Sequence, residues 1–240
     1  MTYLRSWQPA PAADTDVALL LPAAGSGCLR LQAVAPLLPA GATAVGVQLP
    51  GREDRLPEPP AASIAEVVAA VAAELAGLPR RRLLLVGISL GGLLTFELAR
   101  ALEAAGAAAA GLLVLAARAP EFWRDFPSED PPAAEVAALL PPAVRDSEFA
   151  GYAGEVLRAD LRLTAGYEVR PTALAATPLW TGSGSRDDVV TTEQMRGWRA
   201  RSADYRGHRV LPADHHDIAE PGVLADLVST LAGHERDAVR

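Results

Sequence analysis

Arg82-Leu83-Leu84-Leu85-Val86-Gly87-Ile88-Ser89-Leu90-Gly91-Gly92 is the stretch on which the fold turns. Leu83 to Val86 is a short apolar run, the mark of a strand buried on both faces of a sheet. Gly87-x-Ser89-x-Gly91 follows at once, and a helix runs on to about Glu103. A serine set between glycines where a strand turns into a helix is a nucleophile elbow. The turn is sharp and its backbone strained, so small neighbours are needed for adjacent chain to come close. The hydroxyl then stands at the carboxyl edge of the sheet, where open α/β sheets bind ligands. The new helix aims its N-terminus at developing negative charge. Taken alone, the pattern is an ordinary Gly/Ser turn; the strand before it and the helix after it make it chemical.

Upstream, Val17-Ala18-Leu19-Leu20-Leu21 reads as a second buried strand, closed by Pro22. Residues 22–27 form a loop, 29–38 a helical stretch, and 43–49 a strand ended by Pro50-Gly51. Residues 63–78 carry Ile64, Val67, Val68, Val71, Leu75 and Leu78 at the spacing of an amphipathic helix. Ser63 and Glu66 are placed for a capping box at its start. Downstream, 111–116, 177–181 and 206–211 read as strands and 222–231 as a closing helix. Strands alternating with helices predict an α/β fold, a mostly parallel central sheet with helices on both faces. Residues 120–170 break the alternation: proline-rich and acidic at first, then helical over 149–167. They are expected to form a helical lid insertion above the sheet, within a single domain spanning residues 1–240.

Composition bounds the chemistry. The chain has 240 residues, half of them hydrophobic, 21% charged and 5% aromatic, which is globular composition at a length that suits one domain. Cys28 is the single cysteine, which excludes a disulfide framework within the chain and an all-cysteine metal site. All 22 basic residues are arginine, so a Schiff-base lysine and a P-loop lysine are both excluded. A net charge of -7 argues against nucleic acid as a partner. Residues 1–14 lack the apolar core of a signal peptide, and every apolar run falls well short of a bilayer span of about 20 residues. A cytoplasmic protein without membrane contact, metal or cofactor is expected.

A serine hydroxyl is a weak nucleophile at neutral pH and needs a base that a third group orients. In the α/β-hydrolase fold, which this order of elements predicts, the chain order is serine, acid, histidine. His208 falls inside the strand at 206–211 and His234 in the polar tail, so both read as structural or solvated. Asp214-His215-His216-Asp217 follows the last strand and precedes the last helix, where the base belongs. Adjacent side chains do not easily converge on one ion, which weighs against metal binding there. The acid is expected after the strand at 177–181, where Asp187 and Asp188 lie side by side; Asp187 is taken as the acid, although a loop aspartate is ordinarily a helix cap. The oxyanion hole is expected from the backbone N–H groups of Leu90 and of Ala24, in the loop after the first strand. Cys28 nearby reads as a small buried hydrophobe.

Together these segments resemble the type II thioesterases of polyketide and nonribosomal-peptide assembly lines. Pro22-Ala23-Ala24-Gly25 is similar to that family's Pro-His-Ala-Gly loop. Val47-Gln48-Leu49-Pro50-Gly51-Arg52-Glu53-Asp54-Arg55 is similar to its Gln-Tyr-Pro-Gly-Arg-x-x-Arg stretch, and Leu157-Arg158-Ala159-Asp160-Leu161 to its Leu-Arg-Ala-Asp-Phe segment. Asp187-Asp188-Val189-Val190 resembles its acid loop, and Trp198 falls where it usually has a tryptophan. Ala213-Asp214-His215 sits where it usually has Gly-Gly-His, which favours His215 over His216 as the base. This chain departs at Ala23 and Ile88, which stand where the family usually has histidines.

The resemblance implies hydrolysis of acyl thioesters held on the phosphopantetheine arm of an acyl or peptidyl carrier protein. Ser89, His215 and Asp187 would be the triad, with Leu90 and Ala24 supplying the oxyanion hole. Carrier proteins are typically acidic, so docking to a chain of net charge -7 calls for a local basic patch. Arg52, Arg55, Arg118, Arg124 and Arg158 are the candidates on strand-end loops or the lid, with ordinary salt bridging as the plain alternative. The competing functions are a carboxylesterase, an acyltransferase or cyclase on the same scaffold, and a carrier-binding protein without turnover.

Overall fold

The apolar runs that read as strands pair with one another and set the frame. The structure, a computed structural model, describes residues 2–8, 15–38, 41–78, 82–123 and 131–237, with side chains as far as residue 229. Seven strands, β1 (Leu4–Ser6), β2 (Asp16–Leu21), β3 (Ala42–Val47), β4 (Leu83–Ile88), β5 (Gly111–Leu115), β6 (Leu179–Gly184) and β7 (Tyr205–Leu211), form one sheet. Their order is β1-β3-β2-β4-β5-β6-β7. All neighbours are parallel except β1, which runs antiparallel to β3. Every residue of β2, β3 and β5 is buried, as parallel strands covered on both faces require.

Alternate side chains feed two cores. On one face Leu19, Leu21 and Leu85 pack with Val67 and Val71 of α1 (Ile64–Ala76) and with Leu93 and Phe96 of α2 (Leu90–Ala104). On the other, Ala18, Leu20, Leu84 and Val86 pack with Leu31 and Val34 of the 3-10 stretch Cys28–Leu37 and with Leu224 and Val228 of the closing helix. Between β5 and β6 lie α3 (Ala133–Leu139), α4 (Pro142–Arg145) and α5 (Ala150–Arg162). Val136, Leu140, Leu157 and Leu161 form a small core of their own there. The short α6 (Thr192–Arg196) and α7 (Pro221–Asp237) complete the chain, and among the described residues no helix is long and apolar enough to cross a membrane.

Strand order reverses beside β2: the chain crosses from β2 to β3 on one side, then returns past β2 to β4 on the other. Such switch points open a crevice at the carboxyl ends of the two central strands. Leu21 pairs with Gly87, so the loop after β2 and the turn after β4 leave the sheet side by side.

Several local expectations shift. The helical stretch expected at 29–38 is a 3-10 helix, Cys28–Leu37, carrying Pro36. β1 escaped the sequence reading because three residues show no periodicity. β6 begins at Leu179 and runs through Gly182 and Gly184, beyond the expected 177–181. Glycine is a poor strand former, but pairing with both β5 and β7 overrides that preference. At the start of α1, Ser63 Oγ accepts from the Glu66 N–H at 3.1 Å, whereas the Glu66 carboxylate reaches the N–H of Ala62 instead of Ser63.

Trp198 is fully buried, meets Phe96 edge to face at 5.3 Å, and donates its indole N–H to the Ala117 carbonyl at 2.6 Å. Trp198→Ala is expected to lower the unfolding free energy by about 3–5 kcal/mol. Trp198→Phe, which leaves the Ala117 carbonyl without its donor, is expected to cost about 1–3 kcal/mol. Urea unfolding measures both, and a midpoint unmoved by the alanine variant would contradict this packing.

Candidate active site

Ser89 sits between β4 and α2 at φ 54° and ψ -120°, a left-handed backbone that costs a non-glycine residue about 1–3 kcal/mol. The surroundings hold it there. The Ser89 N–H donates to the Leu115 carbonyl at 2.8 Å, and the Ser89 carbonyl accepts from the Gly92 N–H at 2.9 Å. Glycine is obligatory on either side: a methyl group at Gly87 would collide with the Gly91 carbonyl and Thr95 Oγ1, and one at Gly91 with the carbonyls of Leu21 and Pro22. Leu90 is the first residue of α2, so its N–H has no acceptor within the helix.

Two loops tied by backbone hydrogen bonds bring the acid and the base together. The N–H groups of Ser185 and Arg186 donate to the carbonyls of Leu211 and Ala213 at 2.7 and 3.0 Å. Gly184 lets the Ala213 carbonyl lie where any Cβ would stand. Within the base loop, Asp214 Oδ1 accepts from the N–H groups of His216 and Asp217, both at 2.8 Å, which folds the turn that presents His215.

His215 Nδ1 lies 3.0 and 3.1 Å from the two oxygens of Asp187. A carboxylate only accepts, so Nδ1 carries the proton and Nε2 is the basic nitrogen. The Asp187 side chain is wholly out of solvent, and its Oδ1 also accepts from the N–H groups of Val189 and Val190 at 2.9 Å. Burial alone would raise its pKa; the hydrogen bond and charge of His215, with the two N–H groups, outweigh burial and hold it below the usual carboxylate range. Asp188 is exposed.

Ser89 and His215 line one pocket of about 200 Å³. Among the described residues neither Nε2 nor the Ser89 hydroxyl has a hydrogen-bond partner; in free enzymes this contact is commonly loose and tightens with substrate. Ala24 lines the same pocket, and its N–H has no acceptor among the described residues. The insertion supplies the apolar wall through Leu139, Leu140, Val144, Leu157 and Leu161. Ala23 and Ile88, the two departures from the family pattern, both line the pocket and belong to one apolar cluster.

The other histidines and the cysteine have different work. His208 Nδ1 and Nε2 bond Thr181 and Ser183 at 2.9 Å across β6 and β7, and burial lowers its pKa. His216 packs edge to face on His215, and burial lowers its pKa. The side chain of His234 lies outside the described residues. Burial, reinforced by Glu53, pushes the Cys28 thiol up to about 12, so it is no nucleophile at neutral pH.

The basic docking patch expected at Arg52 and Arg55 is corrected: both side chains are only 4% exposed. Arg52 grips Asp160 through two hydrogen bonds of 2.5 Å. Arg55 grips Glu58 at 2.6 and 3.0 Å and stacks over the Tyr3 ring. Each guanidinium found a carboxylate within the fold, and paired charge can be buried where free charge cannot. Arg158 is largely covered and donates to the Pro131 carbonyl, Arg118 reaches the Val189 carbonyl from the pocket wall, and Arg124 lies outside the described residues. Arg30, not singled out from sequence, is exposed at the pocket lining, where it donates to the His216 carbonyl at 3.0 Å.

Sheet order, elbow, and the loops after β6 and β7 define an α/β-hydrolase. The thioesterase family, described as "Thioesterase domain", matches residues 18–232, and the chain belongs to it. The AMB antimetabolite synthetase AmbE of Pseudomonas aeruginosa is 33% identical over 203 residues, 78% of this chain and 9% of AmbE, so the chain spans a small part of that relative. Thioesterase TesA of Mycobacterium leprae is 31% identical over 193 residues, 77% of this chain and 73% of TesA. Among solved structures, YbtT, a type II thioesterase from the yersiniabactin NRPS/PKS biosynthetic pathway, superposes with a TM-score of 0.81 at 25% identity, covering 99% of both chains.

The depressed folded-state pKa of Asp187 fixes a sign. The stability it contributes is present above its unfolded value of about 3.9 and is lost as pH falls through the lower folded value. Asp187→Asn is therefore expected to show a shallower loss of stability below about pH 4 than the wild type. Urea midpoints across that range read it, and parallel curves for the two proteins would contradict the assignment.

Proposed function

We propose that this thioesterase removes acyl groups from the phosphopantetheine arm of an acyl or peptidyl carrier protein in polyketide or nonribosomal-peptide biosynthesis, as a cytoplasmic enzyme that needs no cofactor. The observation that carries this reading is the buried Asp187–His215 pair on the wall of an apolar pocket that Ser89 also lines. The sequence resemblance and the type II thioesterase YbtT support the substrate class.

Ser89 Oγ attacks the thioester carbonyl carbon while His215 Nε2 takes its proton. The carbonyl oxygen becomes an oxyanion held by the N–H groups of Leu90 and Ala24. Collapse breaks the C–S bond, and the pantetheine sulfur leaves with the proton from Nε2. The acyl ester on Ser89 is then attacked by a water that Nε2 deprotonates, and the second collapse releases the acid and returns the proton to Ser89. Asp187 keeps the imidazole in one tautomer and stabilises its cation without taking the proton itself. Leu139, Leu140, Val144, Leu157 and Leu161 cover the acyl chain, so the insertion serves as a lid on a single domain.

Intact-mass spectrometry of an acyl-loaded carrier protein tests the reaction. The acyl mass is expected to disappear with wild type and to persist with Ser89→Ala; equal loss with both would remove Ser89 from the mechanism. Acyl transfer to an added amine or alcohol in place of hydrolysis would favour the acyltransferase. Arg30→Glu is expected to raise KM about tenfold for carrier-borne substrate, where its charge would face an acidic partner, and to affect acyl-pantetheine turnover far less. A uniform loss on both substrates would overturn that role.

A further inference from the structure

The loop that carries Ala24 is a turn with a specific backbone form. The Ala23 carbonyl accepts the Ser26 N–H at 3.1 Å, and Gly25 has φ +76° while Ala24 is not left-handed. This is the signature of a type II turn with glycine at its third position. Type II differs from the commoner type I by a flip of the central peptide, the one joining Ala24 to Gly25. In the observed form the Gly25 N–H donates to Asp160 Oδ2 at 2.7 Å. After a flip, the Ala24 carbonyl would face that carboxylate and be repelled.

Asp160 is 2% exposed and stands on α5 one turn from Leu157, whose Cβ lies 3.1 Å from where a Cβ on Gly25 would be. Arg52 holds Asp160 with both arms and also donates to the Ser26 carbonyl at 3.3 Å, so acid and base together clamp the turn at Gly25 and at Ser26. A buried ion pair is weak evidence for stability, because well-packed apolar residues of similar volume often do as well. What apolar residues cannot do is accept the Gly25 N–H or donate to the Ser26 carbonyl.

We infer that Arg52 and Asp160 are positioning residues for catalysis: by holding the Gly25 N–H and the Ser26 carbonyl they fix the turn at residues 23–26 in its type II form, and with it the place of the loop that presents the Ala24 N–H to the oxyanion. The inference rests on the reading of Ser89 as nucleophile and Ala24 as oxyanion donor. The same contacts tie α5 to the loop after β2.

Two variants separate positioning from support. Asp160→Asn keeps an oxygen for the Gly25 N–H but leaves Arg52 buried without a counter-charge, so it is expected to lose stability and keep kcat within about fivefold of wild type. The double variant Arg52→Met/Asp160→Leu removes both charges and both loop contacts. It is expected to melt above Asp160→Asn, yet to lose about 100-fold in kcat with KM changed less than threefold. NMR hydrogen exchange of the Gly25 amide is expected to show protection in Asp160→Asn and none in the double variant. Should the double variant fail to fold, Asp160→Ala, which removes the acceptor of the Gly25 N–H, is read against Asp160→Asn: loss of Gly25 protection and of kcat in the alanine variant alone upholds the inference, and equal kcat in the two overturns it. Activity that follows melting temperature across the two variants, or kcat and Gly25 protection that move separately, overturns it. If wild type itself turns over no acyl carrier protein, the functional reading fails alone. The positioning role is then read from the rate at which a fluorophosphonate labels Ser89, expected to fall about 100-fold in the double variant and overturned by an unchanged rate.

Discussion

The site rests on one steric constraint: at Gly91 the first turn of α2 lies against the carbonyls of Leu21 and Pro22 with no room for a methyl group. That contact brings the end of β2 to the start of α2 at the place where strand order reverses. It sets the start of α2 beside the loop that carries Ala24, and Ala24 and Ser89 line one pocket. The strained backbone of Ser89 is a consequence, since the chain must pass from strand to helix within one residue to keep that approach.

Charge is buried here only where it is satisfied. Asp187 receives the imidazole and two backbone N–H groups, which lets a carboxylate stay ionised out of solvent. Arg55 has Glu58, the Gln48 carbonyl and the Tyr3 ring. Cys28, without such partners for a thiolate, is held neutral. The same rule removed Arg52 and Arg55 from the docking surface: a guanidinium with a matched carboxylate in reach can be buried where a free one cannot.

The two departures from the family pattern converge. Ile88 ends β4, Ala23 lies just past the end of the neighbouring β2, and both belong to one apolar cluster that reaches the pocket lining. Asp187 and His215 are held on the loops after β6 and β7 by hydrogen bonds in which neither Ala23 nor Ile88 takes part.

Local order was legible without coordinates. Buried strands show as unbroken apolar runs, α1 as a 3.6-residue stripe with Ser63 at its cap, and the elbow as a serine framed by glycines, because each is dictated by near neighbours. The choice of His215 over His216 already leaned on family likeness, since nothing local separates two adjacent imidazoles. Asp160 shows in the sequence as an acidic residue on the apolar stripe of α5 with Val156, Leu157 and Leu161 and, like Arg52, as part of a family-like segment. Its partners, Arg52 and the Gly25 N–H, lie 108 and 135 residues away, a pairing that no pattern along the chain encodes. The strand length of β6, the burial of Arg52 and Arg55 and the form of the turn at residues 23–26 belong to the tertiary structure alone. Each depends on which distant group supplies the missing hydrogen bond, and only the folded chain decides that.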